Sequence, residues 1–148
     1  MKTALVIPVY NRPQYVKRCI ESLEKLTVKP DYVVIVDDFS SNPDVRPIIE
    51  SFRDCWGVTW QYLRRNENGG VKAALLTGIE FAWKWSEDIG LIINLDSDAI
   101  VKPDFIERLL SLHKHTGLIT SGFNNPKEPI IKGFYKKHAN GINMCFNR

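Results

Sequence analysis

The stretch "LIINLDSDAIVKPD" (residues 91–104) decides the fold. Leu91 to Leu95 form a short, mostly apolar run that ends abruptly in Asp96-Ser97-Asp98. Such a run bounded by polar residues reads as a buried strand. Two carboxylates two residues apart at its mouth pose a choice between a solvated turn and a metal clamp. In an extended or turning segment, positions i and i+2 point the same way, so Asp96 and Asp98 can face one ion. Five residues on, Pro103 opens a helix with Phe105, Ile106, Leu109, Leu110 and His113 on one side.

The same strand-then-polar-end pattern recurs upstream. "TALVIPVY" (3–10) is a β-branched apolar run ended by Pro8, and Asn11 caps a helix through Val16, Cys19, Ile20, Leu23 and Leu26. "DYVVIV" (31–36) ends in Asp37-Asp38, followed by a short helix with Asn42 as cap and Pro43 in its first position. "VTWQYL" (58–63) leads into the turn "NENGG" (66–70) and a helix face of Val71, Ala74, Leu75, Gly78 and Ala82. "GLITSG" (117–122) reads as a fifth strand. Near-continuous apolar strands alternating with helices imply an open, mostly parallel α/β Rossmann-like sheet covered on both faces.

Beyond residue 122 the pattern changes. "IIKGFYKK" (130–137) and "GINMCFNR" (141–148) are strand candidates around the turn signal Asn140-Gly141, an antiparallel hairpin. The domain reading is therefore 1–122 for an α/β ligand-binding unit and 123–148 for the start of a second half.

Composition narrows the function classes. The 148 residues suffice for one domain with a real core, at 44% hydrophobic and 25% charged. A net charge of +3 admits an anionic ligand but does not argue for nucleic acid. Three widely spaced cysteines read as free thiols, and no run approaches a membrane span, so the reading is cytoplasmic. Neither G-x-G-x-x-G after the first strand nor G-x-x-x-x-G-K-S/T is present, which argues against a dinucleotide or P-loop enzyme.

Ligands of open α/β sheets bind outside the carboxyl ends of the strands. Every unusual polar cluster here falls at such an end: Pro8 to Asn11, Asp37-Asp38, Arg64 to Gly70, and Asp96 to Asp98.

Taken in order, "VIPVYNR", "VVIVDDFSSN", "NGG" before Gly78-Ile79, and "NLDSDAIVKPDFIERL" resemble the N-terminal, nucleotide-sugar-binding half of family 2 glycosyltransferases of the GT-A fold. The resemblance implies an inverting transfer of sugar from a nucleotide diphosphate-sugar, a UDP-sugar in this reading, to an acceptor hydroxyl. It implies that Pro8, Tyr10 and Arg12 line the nucleotide and that Asp38 accepts a hydrogen bond from uracil. Asn68, Gly70 and Lys72 would border the base and diphosphate, and Ser97 would let the backbone approach the nucleotide. Asp96 and Asp98 would form the D-x-D motif holding Mn²⁺ or Mg²⁺, hard cations that favour oxygen.

The family's catalytic base lies beyond the "NM-x-F-x-R" strand, where this sequence stops, so the expectation is donor binding with poor transfer. No base is assigned: Asp104 belongs to a helix start and Glu128 is a poor substitute, and only acceptor-dependent turnover would turn the search to Asp104, Glu128 and His138. A nucleotide-sugar-binding module and a sugar nucleotidyltransferase are the alternatives. An exposed sheet edge at the final hairpin would favour a homodimer.

Overall fold

The computed structural model describes residues 2–53, 56–116, 120–121 and 143–147. Strand β1 (Lys2–Val9) leads to helix α1 (Pro13–Glu24), β2 (Tyr32–Asp37), α2 (Val45–Ser51), β3 (Thr59–Arg64), α3 (Gly70–Trp85), β4 (Ile89–Asn94) and α4 (Phe105–Thr116). Two further strands follow, β5 (Thr120–Ser121) and β6 (Asn143–Asn147). The sheet order is β3-β2-β1-β4-β6-β5. The first four strands pair in parallel, and β6 pairs antiparallel with both β4 and β5.

Alternation along β1 explains the layers. Leu5, Ile7 and Val9 pack with α1, α2 and α4 residues such as Ile20, Ile49 and Ile106. Ala4 and Val6 face the other way, onto Ala74, Ile79 and Ala82 of α3. A central strand buried on both faces has no polar face to show, hence its unbroken apolar sequence. Gly78 lets α3 lie close, because a Cβ there would run into Val6 and Val36.

Several expectations shift. Pro8 does not end β1, which continues to Val9 and pairs Pro8 with Val36. The pairing of β1 with β4 stops at Val6, so beside Pro8 the β4 side demands no N–H. Asn11 does not cap α1. Arg12 takes that position in a left-handed conformation without a side-chain cap. The second helix starts at Val45 with Asp44 as N-cap, later than expected, because Asn42 Oδ1 instead accepts the Asp44 N–H at 2.9 Å in a local turn. Of the expected hairpin, "NMCFN" is β6, inserted between β4 and β5, while "IIKGFYKK" lies outside the described residues. Among the described residues no helix is long and apolar enough to cross a membrane.

Candidate active site

Strand order reverses direction at β1, with β2 on one side and β4 on the other. A crevice opens at such a switch point, beyond the carboxyl ends of the strands. Here it is a cleft of about 420 Å³. Pro8, Tyr10 and Arg12 line it from β1, Asp38 from β2, and Asp96, Ser97 and Asp98 from β4. Asn68 and Gly70 line it from the start of α3, joined by Val71 and Ala74, which the sequence reading had placed only on a packing face. Lys72 is exposed and does not line this cleft.

The loops that carry these residues are strained and tied together. Among the described residues, the non-glycine residues with positive φ are Asn11, Arg12 and Phe39, all at the ends of β1 and β2. Such backbone costs about 1–3 kcal/mol each and persists only where surrounding contacts fix it. Asn11 supplies those contacts. Its Oδ1 accepts the N–H groups of Ser41 and Asn42, both at 2.9 Å, and its own N–H donates to Ser40 Oγ at 2.8 Å. The loop after β1 is thereby pinned to the loop after β2.

Asp37 is wholly buried and belongs to the frame. Its Oδ1 accepts the Ser40 N–H at 2.8 Å, and its Oδ2 accepts Tyr62 Oη at 2.6 Å and Arg64 Nη1 at 2.7 Å. Burial alone would push the Asp37 carboxyl up, but the Ser40 and Tyr62 hydrogen bonds and the Arg64 charge outweigh it and hold it below the ordinary value. Burial first, then the bond to Asp37, pushes the Tyr62 phenol up to about 12.

Asp38 is built differently. It is 2% exposed. Its Oδ1 accepts Arg65 Nη1 and, at 3.1 Å, the Gly69 N–H. Its Oδ2 is buried without a hydrogen-bond partner. A buried carboxylate oxygen left unmatched is costly, and this one belongs to a residue that lines the cleft. Arg65 escaped the sequence reading as an individual site residue. The signal was there: in the parallel register Asp37 faces Arg64, so the acidic pair at the end of β2 meets the basic pair at the end of β3.

The Asp96–Asp98 segment turns rather than extends, with the Ala99 N–H donating to the Asp96 carbonyl at 3.0 Å. Helix α1 holds it from behind. The Cys19 thiol donates to the same carbonyl at 3.7 Å, and Ser22 Oγ accepts the Val101 N–H at 3.1 Å. Burial, and then the charges of Asp98 and Asp96, push the Cys19 thiol up to about 12, which suits packing and not reactivity. Burial, and then the neighbouring Asp98, push the Asp96 carboxyl up to about 6. Arg12 Nη1 lies 3.5 Å from Asp98 across an exposed gap.

Two adjacent carboxylates, one of them held in an environment that disfavours its charge, fit a divalent cation. Among the described residues no group of three His, Cys, Asp or Glu side chains could hold a metal ion. That donor set suits Mg²⁺ or Mn²⁺, which are commonly bound by one or two carboxylates together with substrate phosphates and water.

The fold is that of GT-A glycosyltransferases, which the solved structures below share. Residues 4–147 match glycosyl transferase family 2, and the chain belongs to that family. It is 33% identical over 109 residues to the putative glycosyltransferase EpsH of Bacillus subtilis, covering 72% of this chain and 29% of that protein. It is 26% identical over 140 residues to the chondroitin synthase of Escherichia coli, covering 83% of this chain and 19% of that one. A mannosyltransferase from Pyrobaculum calidifontis, solved with GDP-Man and Mn²⁺, superposes with a TM-score of 0.73 at 16% identity, over 99% of this chain and 44% of that one. TarS 1–349 from S. aureus, solved with UDP-GlcNAc, gives 0.64 at 22% identity, over 87% and 37%. The chain thus spans less than a third of the length of these two curated relatives.

Proposed function

We propose that this chain forms the donor site of a metal-dependent, inverting glycosyltransferase that takes sugar from a UDP-sugar to an acceptor hydroxyl. The observation that carries this reading is the buried, unmatched Oδ2 of Asp38, in one cleft with the Asp96 and Asp98 carboxylates. Two related structures, one with UDP-GlcNAc and one with GDP-Man and Mn²⁺, support a nucleotide-sugar and a divalent cation. Family membership favours glycosyl transfer over the nucleotidyl transfer that a similar sheet could also serve.

In this reading Asp38 accepts the imide N–H of the base. Tyr10, 49% exposed at the rim, offers its ring to the base or ribose. The start of α3, at Gly70 and Val71, lines the cleft, so the positive end of the helix would favour the diphosphate there. Asp96 and Asp98 hold the cation, and Arg12 adds a second positive charge beside it. A divalent cation bound there would act as a Lewis acid on the leaving diphosphate. Ser97, small and between the two carboxylates, leaves room for the nucleotide.

Attack by a hydroxyl needs a general base within about 3 Å of its oxygen. The carboxylates that line the cleft are committed to base and metal in this reading. Asp104 is paired with Arg108 at 2.5 Å, and Glu128 and His138 lie outside the described residues. A donor-binding role with little transfer is therefore the second reading. The discriminating experiment incubates the chain with UDP-glucose, UDP-galactose or UDP-N-acetylglucosamine, Mn²⁺ and an acceptor panel, and measures UDP release. Release independent of acceptor favours the second reading, and acceptor-dependent turnover favours the first. Absence of UDP binding would overturn both.

A further inference from the structure

Asp38 does not meet its ligand as an open carboxylate. Oδ1 is taken by two donors, the Arg65 guanidinium and the Gly69 backbone N–H, while Oδ2 has none. A carboxylate oxygen offers about two lone-pair sites, so Oδ1 is filled. We propose that Arg65 and Gly69 are specificity-determining residues, which fix Asp38 as a one-oxygen acceptor and so select an imide base, uracil, over guanine and cytosine. The inference rests on the nucleotide reading above and goes past it, because a relative of the same fold was solved with a guanine nucleotide.

The reasoning compares the base edges. Uracil presents a single N–H between two carbonyl oxygens. Its N–H donates to Oδ2, the one oxygen of Asp38 left without a partner. Guanine presents a ring N–H next to an amino group. A free carboxylate takes both at once, one on each oxygen. Here the second donor would find Oδ1 occupied by Arg65 and Gly69 and would be left unmatched. Cytosine presents a ring nitrogen lone pair at the same place, which faces a negatively charged oxygen. Leaving a polar group unmatched in a closed site is what gives hydrogen-bonding pockets their large discrimination.

Gly69 has a second role in this device. Its φ of −118 suits any residue, yet a Cβ there would collide with the Arg65 guanidinium. Glycine at this position lets the guanidinium reach Asp38. The Arg65 side chain is 18% exposed, so the pair is largely sheltered from water and its geometry is held.

The test is calorimetric titration of the chain with UDP, GDP and CDP under saturating Mn²⁺. The diphosphate and metal contacts are common to all three, so the ratios report the base alone. The expected result is UDP tighter than GDP and CDP by tenfold or more. Arg65→Met leaves Oδ1 with the Gly69 N–H alone, opens one of its lone pairs to a second donor, and should bring the UDP-to-GDP ratio toward one. Arg65→Lys keeps a donor and a positive charge on Oδ1 if the methionine variant fails to fold. It should therefore keep the preference for UDP over GDP. Equal binding of UDP and GDP by the unaltered chain, an unchanged ratio in Arg65→Met, or a ratio that falls to one in Arg65→Lys would overturn this inference and leave the nucleotide site standing. Failure of all three nucleotides to bind would overturn the site itself.

Discussion

Asp37 and Asp96 both stand at the carboxyl end of a buried parallel strand, yet their surroundings push their acidities in opposite directions. Asp37 is enclosed by Ser40, Tyr62 and Arg64, and its carboxyl is held below the ordinary value despite its burial. Asp96 shares its environment with a second carboxylate and is pushed up to about 6. The first network is complete within the protein. The second is electrostatically unfinished, and a divalent cation would finish it. A charge that serves the fold is neutralised by the fold. A charge that serves a ligand is left for the ligand to neutralise.

The largest expected effect breaks the finished network. Asp37→Asn removes the charge that Arg64 and Tyr62 were arranged around and should cost about 3 kcal/mol, read by urea unfolding. Asp96→Asn should cost no more than about 0.5 kcal/mol, or stabilise, since it relieves a desolvated carboxylate. Equal losses from the two substitutions would erase the distinction.

The pH dependence of that first loss sharpens it. The Asp37 carboxyl is held below its ordinary 3.8 in the folded state, so the unfolded chain binds its proton more readily. Its contribution is full above the unfolded value and is lost as pH falls through the folded value. The stability gap between the unaltered chain and Asp37→Asn should therefore be widest near neutrality and should close in acid below about pH 4. A gap that persists in acid would mean that Asp37 acts through shape and not charge.

Asn11→Ala should come next, at about 1–2 kcal/mol, because it strands the Ser41 and Asn42 N–H groups and releases the strained backbone at Asn11 and Arg12. Unlike Asp37→Asn, it should also weaken UDP binding, since Arg12 and Tyr10 ride on that loop. Arg12→Ala should move stability by no more than about 0.5 kcal/mol, because its bridge to Asp98 spans 3.5 Å between exposed groups.

The same contrast explains what the sequence revealed. The strands were legible because a doubly covered strand has no polar face, and the place of Asp96 and Asp98 at the cleft was legible because acidic residues follow such a strand so abruptly. Asn11 was misread as a helix cap because its partners, Ser41 and Asn42, lie about thirty residues away and meet it only once β1 and β2 pair. Arg65 was passed over for the same reason: its role depends on the β2–β3 register, which brings Asp37 opposite Arg64. The insertion of β6 between β4 and β5 depends on a long-range pairing that no local turn signal specifies.

The central claim is that Asp96 and Asp98 complete their charge only with a cation shared with a nucleotide diphosphate. The most direct measurement is the affinity of UDP with and without Mn²⁺, for the unaltered chain and for Asp98→Ala. The account predicts that Mn²⁺ strengthens UDP binding about tenfold or more in the unaltered chain. It predicts no such gain in Asp98→Ala, with unfolding curves that superimpose. Equal UDP affinity with and without Mn²⁺ in the unaltered chain would contradict it.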